Sequence, residues 1–514
     1  ANTTGADNVA IGQVALATST TAEGNVAIGR YSMNNTTTGS NNAAVGKNSL
    51  GANTTGASNT AIGYGCLDAN TTASNNTAVG AMSLSANTTG PYNVAVGRNS
   101  LLLNTTGGYN VAVGGGSLDS NDSGSNNVAV GFEALQENTA GNNTAIGYKA
   151  LEENTSASNN TAVGYEALTA NTTGAQNVAV GSRAVESCTT AGNNVGIGYS
   201  AVRETTTGAN NVGVGTDALK LNTTASNNTA MGYVALAANT TGFRNTSVGS
   251  YSLDANTTGQ YNVAVGSYAL TSNTDASWNT GIGEWALGSN TTGGHNTACG
   301  TFALDSNTTG YYNTAVGKDA LGVNTTGSRN TAIGYQALDA ATTVVDNTAC
   351  GYQALTNATG GENAAFGSFA LYAATSATYN TALGDDAGAE VTTGSNNLLL
   401  GNGAGRGASP SGTITTADNN VVLGNNNVTN IYCADTSISS SDKRDKTDIA
   451  DFTHGLDWVK QLKPITYRWD KRTWYGTEEE PLGTPDGSKK HSRKHLGFLA
   501  QDVLAIEGNP TNKD

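Results

Sequence analysis

Apolar and polar positions alternate in a fixed phrase that recurs from the first dozen residues to beyond residue 400; NNTAVGYEAL, residues 159–168, is one occurrence. Taking the Gly of each N-x-A-x-G phrase as position zero gives 24 copies, from Gly12 to Gly401. They are spaced 17 residues apart except for two steps of 16, from 131 to 147 and from 351 to 367. A short fixed period with almost no insertions predicts the stacked coils of a solenoid. At about 4.8 Å per stacked coil the rod is roughly 115 Å long.

The columns of the repeat predict its elements. Asn stands four residues before the Gly in every copy, from Asn8 to Asn397, and the position one before the Gly is always apolar, as in Ile11, Val163, Met231, Phe366 and Leu400. Alternation through these positions is the period-two signal of a strand. Four after the Gly comes Leu, Met or Val in the first 22 copies, where a second short strand is expected to begin. The NTTG-like stretch that follows, as in Asn171-Thr172-Thr173-Gly174, is turn chemistry. Stacking in register predicts that the Asn amides bond to one another and to turn backbone. The Gly column supplies a backbone conformation or close approach that a Cβ would forbid.

Two residues before the Gly, 23 of 24 copies carry Ala, Gly or Ser, the exception being Leu399. By alternation this row points away from the Val/Ile row, and a face open to water would accept larger polar side chains. Restriction to tiny residues therefore predicts a second surface close against it, a further copy of the same chain. The expectation is a parallel homotrimer.

Composition supports an all-β repeat: 66 of the 514 residues are Gly, 12% are charged and 6% aromatic. Net charge is −15 and unevenly placed. Residues 441–514 hold 13 of the 24 Lys/Arg and 13 of the 39 acidic residues, leaving 11 basic against 26 acidic side chains in residues 1–440. Such a shaft repels phosphate, which argues against a nucleic-acid partner. No apolar run reaches the length of a membrane span, so no membrane insertion is expected. The absence of an initiator Met reads as an internal cut. Cysteines 66, 188, 299, 350 and 433 show no metal-ligand spacing, and Cys299 and Cys350, which replace Val or Ile, read as small core residues. No metal or cofactor is expected. The many N-x-S/T triplets, such as Asn53-Thr54-Thr55, read as solenoid turn chemistry rather than glycosylation sites.

The N-x-A-x-G-x-x-A/S pattern over residues 1–401 resembles the left-handed β-roll of trimeric autotransporter adhesin heads and coils in some bacteriophage tail fibres, although its period is longer than the usual adhesin repeat. From 402 the pattern loosens, with one more coil-like phrase, NNVVLG, at 419–424, and residues 402–440 read as a degenerate coil and linker. Residues 441–514 are written differently. DFTHGLDWVKQL places Phe452, Leu456, Val459 and Leu462 at helical spacing, predicting a short helix ended by Pro464; PITYRW predicts a strand, and 476–494 an exposed insertion. The result is a small α+β domain.

Ser441-Asp442-Lys443-Arg444-Asp445-Lys446, then LKPITYRW, then HLGFLAQDV at 495–503 resemble, in that order, the C-terminal intramolecular chaperone of phage tail spikes, tail fibres and endosialidases. In that family a Ser–Lys dyad cuts the bond before the Ser. The resemblance implies Ser441 as nucleophile, Lys446 as general base and Ser440–Ser441 as the cleaved bond. A lysine acts as a base only when neutral, which requires desolvation or crowding by cations such as Lys443 or Arg444. Taken alone, SDKRDK also reads as a solvated charged turn. His495 either sits near the dyad or begins a strand. Family members continue into a long C-terminal helix, whereas this sequence ends at EGNPTNKD and reads as truncated.

The expectation is a structural tail-fibre protein of a virion, trimerised by a self-cleaving chaperone and contacting a host-surface receptor, either a glycan or an outer-surface protein. The alternative is a bacterial trimeric surface adhesin. A glycan-degrading enzyme is disfavoured because the shaft repeats no carboxylate pair in a cleft.

Overall fold

The computed structural model describes residues 3–430, 460–468, 484–490, 492, 494–499 and 502. The chain divides into two units, Ala1–Asn430 and Ile431–Asp514.

The first unit is a parallel β-solenoid. It contains 25 strands of three residues, from β1 (Val9–Ile11) and β2 (Val26–Ile28) to β24 (Leu398–Leu400) and β25 (Val421–Leu423). Each pairs with the next in sequence without slippage, as in Val9↔Val26, Ala10↔Ala27 and Ile11↔Ile28. The 16-residue steps keep this register, with Val128 opposite Thr144 and Thr348 opposite Ala364. The missing residue comes out of the polar turn: Asn127 donates to the Ala140 carbonyl 13 positions on, where Asn110 reaches Gly124 at 14.

The predicted second strand does not form. Residues after each Gly run through turns, and the residue four after it, exemplified by Leu50, Leu168 and Leu321, adopts a left-handed φ near 50°. Its backbone still bonds from coil to coil, as in Leu50 N–H to Cys66 O at 2.9 Å. The Gly column behaves as expected. Gly12 has φ +135°, and a Cβ there would lie 2.7 Å from the carbonyl carbon of Gly29 in the next coil.

The facing of the strand is the reverse of the expectation. The small middle residue of β2, Ala27, is fully buried inside its own coil, as are Ala44, Ala162 and Ala332. The row is therefore not clamped between subunits. Its size limit comes from within one chain: where Gly replaces Ala, at Gly196 and Gly213, a Cβ would lie 2.6 and 2.5 Å from the Val185 and Val202 side chains of the preceding coil. The interior is so narrow that one Leu per coil, four after the Gly, fills it. The larger Val/Ile/Thr side chains of each strand point outward instead. Cys299 and Cys350 lie in this outward row, so they are not core residues; Cys299 is exposed, whereas Cys66 and Cys188 are buried.

Two internal Asn ladders replace the missing apolar volume. In the first, the Asn8 Oδ1 accepts from the Asn25 N–H at 3.0 Å and the Asn25 Nδ2 donates to Gly39 O at 3.0 Å, a pattern repeated up the shaft. The bond to turn backbone is as the sequence predicts; between coils the amide oxygen accepts mainly from the next Asn backbone N–H, with amide-to-amide bonds only in some coils, as from Asn42 Nδ2 to Asn25 Oδ1 at 3.2 Å. The second ladder, seven after the Gly, runs within the NTTG turns: Asn70 Nδ2 donates to Asn53 Oδ1 at 2.9 Å and to Ala73 O at 3.1 Å. Asn53 is fully buried, so its N-x-T triplet is not open to modification in the folded shaft. From Ala341 through Ala358 and Ala374 to Val391 this ladder becomes apolar.

In the second unit, β26 (Ile465–Tyr467) pairs antiparallel with β27 (His495–Gly497). The predicted PITYRW strand is present, and His495 begins a strand. Of the predicted helix 451–462, residues 451–459 lie outside the described residues, and 460–462 run through a turn.

Candidate functional site

Three surfaces carry chemistry. The first is the outer row of the sheet. Side chains one before the Gly are exposed in many coils, including Ile62, Ile146, Ile282, Ile333, Phe366 and Leu383, with Ile282 at 40% and Leu383 at 54%, and half-buried in others, such as Val96 and Val163. Val or Thr three before the Gly is half-buried beside them in most strands, as in β2. The parallel register therefore lays a continuous row of aliphatic side chains along the shaft, longer than the scattered apolar residues of an ordinary surface.

The second is a row of ion pairs that bridges coils. Lys149 lies 3.3 Å from Glu133 and 2.8 Å from Glu152, Arg183 lies 3.2 Å from Glu166, and Arg203 lies 3.8 Å from Glu186. Burial pushes the Glu186 carboxyl above its ordinary range while Arg183 and Arg203 oppose the shift. Every carboxylate named here faces a cation. Among the described residues no group of three or more His, Cys, Asp and Glu side chains is placed to hold a metal ion. No helix among them is long and apolar enough to cross a membrane.

The third lies in the C-terminal unit. The β26–β27 pair joins LKPITYRW to HLGFLAQDV, two of the three stretches singled out in the sequence. Tyr467 stacks on His495 with centroids 5.5 Å apart, and a Cβ at Gly497 would come within 3.2 Å of the Tyr467 ring. A side chain there would push the ring aside by a few tenths of an ångström. On the same pair Leu496, opposite Thr466, is 78% exposed, with Phe498 and Leu499 also exposed. Ser440, Ser441 and Lys446 lie outside the described residues.

Residues 441–511 match the family described as the chaperone of endosialidase. The chain thus carries a chaperone domain of this type after a parallel β-solenoid. No curated protein matches the chain. The second Asn ladder escapes a reading along the chain; it stands out once the repeat is aligned in 17-residue columns.

Proposed function

We propose that the chain is the shaft and assembly domain of a homotrimeric phage tail fibre, a virion component that contacts a host-surface receptor. Residues 1–401 form the shaft, 402–440 a closing coil and linker, and 441–514 the assembly domain. The observation that carries this reading is the junction of an in-register solenoid bearing a continuous outward aliphatic row with a chaperone-of-endosialidase domain. The outward row is the subunit interface in this reading, taking the role first expected of the alanine row. A shaft longer than 100 Å offers each partner far more than the roughly 800 Å² of a standard stable interface.

Near-identical coils create a registration problem, because a slip by one coil changes little of the core. The C-terminal domain solves it by holding three chains together while their shafts align. The exposed Leu496, Phe498 and Leu499 suit contacts between chains. Cleavage follows assembly. Ser441 Oγ attacks the carbonyl carbon of Ser440 as Lys446 takes the hydroxyl proton; Lys446 returns that proton to the Ser441 nitrogen as the C–N bond breaks and frees the Ser441 amine, and water hydrolyses the resulting ester between Ser440 and the Ser441 hydroxyl. Loss of the assembly domain leaves the fibre kinetically trapped. A bacterial trimeric adhesin would share the shaft, but the chaperone domain favours the virion.

The test is the size of the expressed protein on a denaturing gel beside its mass in native solution. The expected wild-type result is a fragment ending at Ser440 in a trimeric particle, and Ser441→Ala is expected to remain full length and trimeric. A processed Ser441→Ala protein overturns the dyad, and a monomeric shaft overturns the fibre.

A further inference from the structure

Two columns flank the outward row, one five residues before the Gly and one directly after it. The first has a left-handed backbone in coil after coil and is most often Asn, as at Asn193, Asn210 and Asn227, the residue that best tolerates this conformation after Gly. Seven of the 24 coils nevertheless carry a Tyr, Trp or His ring there, among them Tyr92, Trp278 and Tyr379, exposed by 52%, 53% and 58%. Eight coils carry a Tyr or Phe ring directly after the Gly, among them Tyr64, Tyr199 and Tyr233, which are also exposed. No coil carries both.

Where one flank has a ring, the other is short or charged. Ser58 precedes Tyr64, Asn193 precedes Tyr199 and Asn227 precedes Tyr233, while Gly115 follows Tyr109, Glu284 follows Trp278 and Thr301 follows His295. Crowding inside one chain does not explain this exclusion. The strand separates the two columns by about 20 Å of extended backbone. Among the described residues, rings stack within each column, as Tyr92 on Tyr109 and Tyr148 on Tyr165, but never from one column to the other. A ring at one flank is therefore sensed at the other only through a neighbouring molecule.

We propose that the two flanks meet between copies of this chain: the column before the strand in one subunit packs, coil by coil, against the column after the strand in the next, with room for one ring per level. This contact deepens the trimer reading and rests on it. When three parallel chains in register turn their outward rows to a common axis, their strands circulate around it. The leading flank of each subunit then adjoins the trailing flank of its neighbour at the same level, a head-to-tail contact that closes into a ring. A ring against Asn, Ser, Gly or Thr fills such a corner, whereas two rings overpack it. Arg98 opposite Tyr92, Lys318 opposite Tyr312 and Arg329 opposite Tyr335 place a cation at an aromatic ring. The flanks add register to a nearly uniform row. Offset by one coil, they set Tyr109 against Phe132 and Tyr312 against Tyr335. A chain that slips in either direction meets one of its two neighbours with that offset.

The experiment makes one substitution at two coils of the same column. Asn227 shares its coil with Tyr233, and Asn210 shares its coil with Thr216. Both Asn residues have φ near 60°, so a Tyr costs the backbone the same at each. The full chain is expressed as wild type, Asn210→Tyr, Asn227→Tyr and Asn227→Tyr/Tyr233→Ser, and native mass is followed as temperature rises. Wild type, Asn210→Tyr and the double variant are expected to give trimer in equal yield that dissociates at one temperature. Asn227→Tyr is expected to give severalfold less trimer, dissociating at a lower temperature. Equal behaviour of the two single variants, a greater loss with Asn210→Tyr, or no recovery in the double variant overturns the flank contact and leaves the trimer standing. A monomeric wild type overturns the trimer and the contact with it.

Discussion

Leu399 occupies the space that a side chain at position 388 would need: a Cβ on Gly388 would lie 2.5 Å from Leu399 Cδ1. The two residues have exchanged sizes. Leu399 is the large residue in the otherwise tiny inner strand row, and Gly388 stands where earlier coils place Leu. Interior volume is conserved within one chain, which is independent evidence that the small row faces inward.

This exchange predicts a non-additive pair. Leu399→Ala opens a cavity and is expected to cost about 2–5 kcal/mol, whereas Gly388→Leu alone meets Leu399. The double variant restores the common coil, since leucines in this column already adopt φ near 50°. It should recover most of the lost stability in a denaturant titration. Additive losses would mean that the two positions do not share volume.

The Asn ladders predict a local loss of protection. Asn177 Oδ1 accepts from the Asn194 N–H at 2.9 Å, and its Nδ2 donates to Ala191 O at 2.9 Å. Asn177→Ala strands both buried groups, at about 1–3 kcal/mol each. Hydrogen exchange at the Asn194 amide should accelerate, while amides several coils away keep their protection because coils contact only their neighbours.

Mild acid should stabilise the shaft around Asp305. Burial pushes its carboxyl from the usual 3.8 up to about 6. Between about pH 4 and 6 the folded chain holds a proton that the unfolded chain has released, so this group's contribution to stability falls as pH rises through that window. Asp305→Asn is expected to raise the melting temperature at pH 7 and flatten the dependence between pH 4 and 6. An unchanged slope in thermal melts would remove Asp305 as its source.

The period, the strand, the Gly column and the first Asn ladder were all legible in the sequence, because each is a backbone requirement repeated coil by coil. The facing of the strand was not. Alternation separates two faces without saying which is inside, and the usual rule that larger apolar residues go inward fails where a coil is too narrow for them. Leucines four after the Gly fill that space from a turn in most coils, so nearly every strand up to β23 contributes only Ala, Gly or Ser. Cys299 and Cys350 followed the same error. Ser441 and Lys446 were reached through resemblance, since a Ser and a Lys five apart have no geometry in sequence alone.

Cys299 gives the most direct test of the subunit interface. It is exposed one residue before Gly300, in the outward row. In a parallel, in-register trimer it faces the Cys299 of neighbouring chains. In a Cys433→Ser background, mild oxidation of the trimer should link chains in pairs, reversibly with reductant and mainly through Cys299, while the buried Cys66 and Cys188 stay reduced. A particle of monomeric mass whose Cys299 is fully alkylated and never cross-links would contradict the assembly.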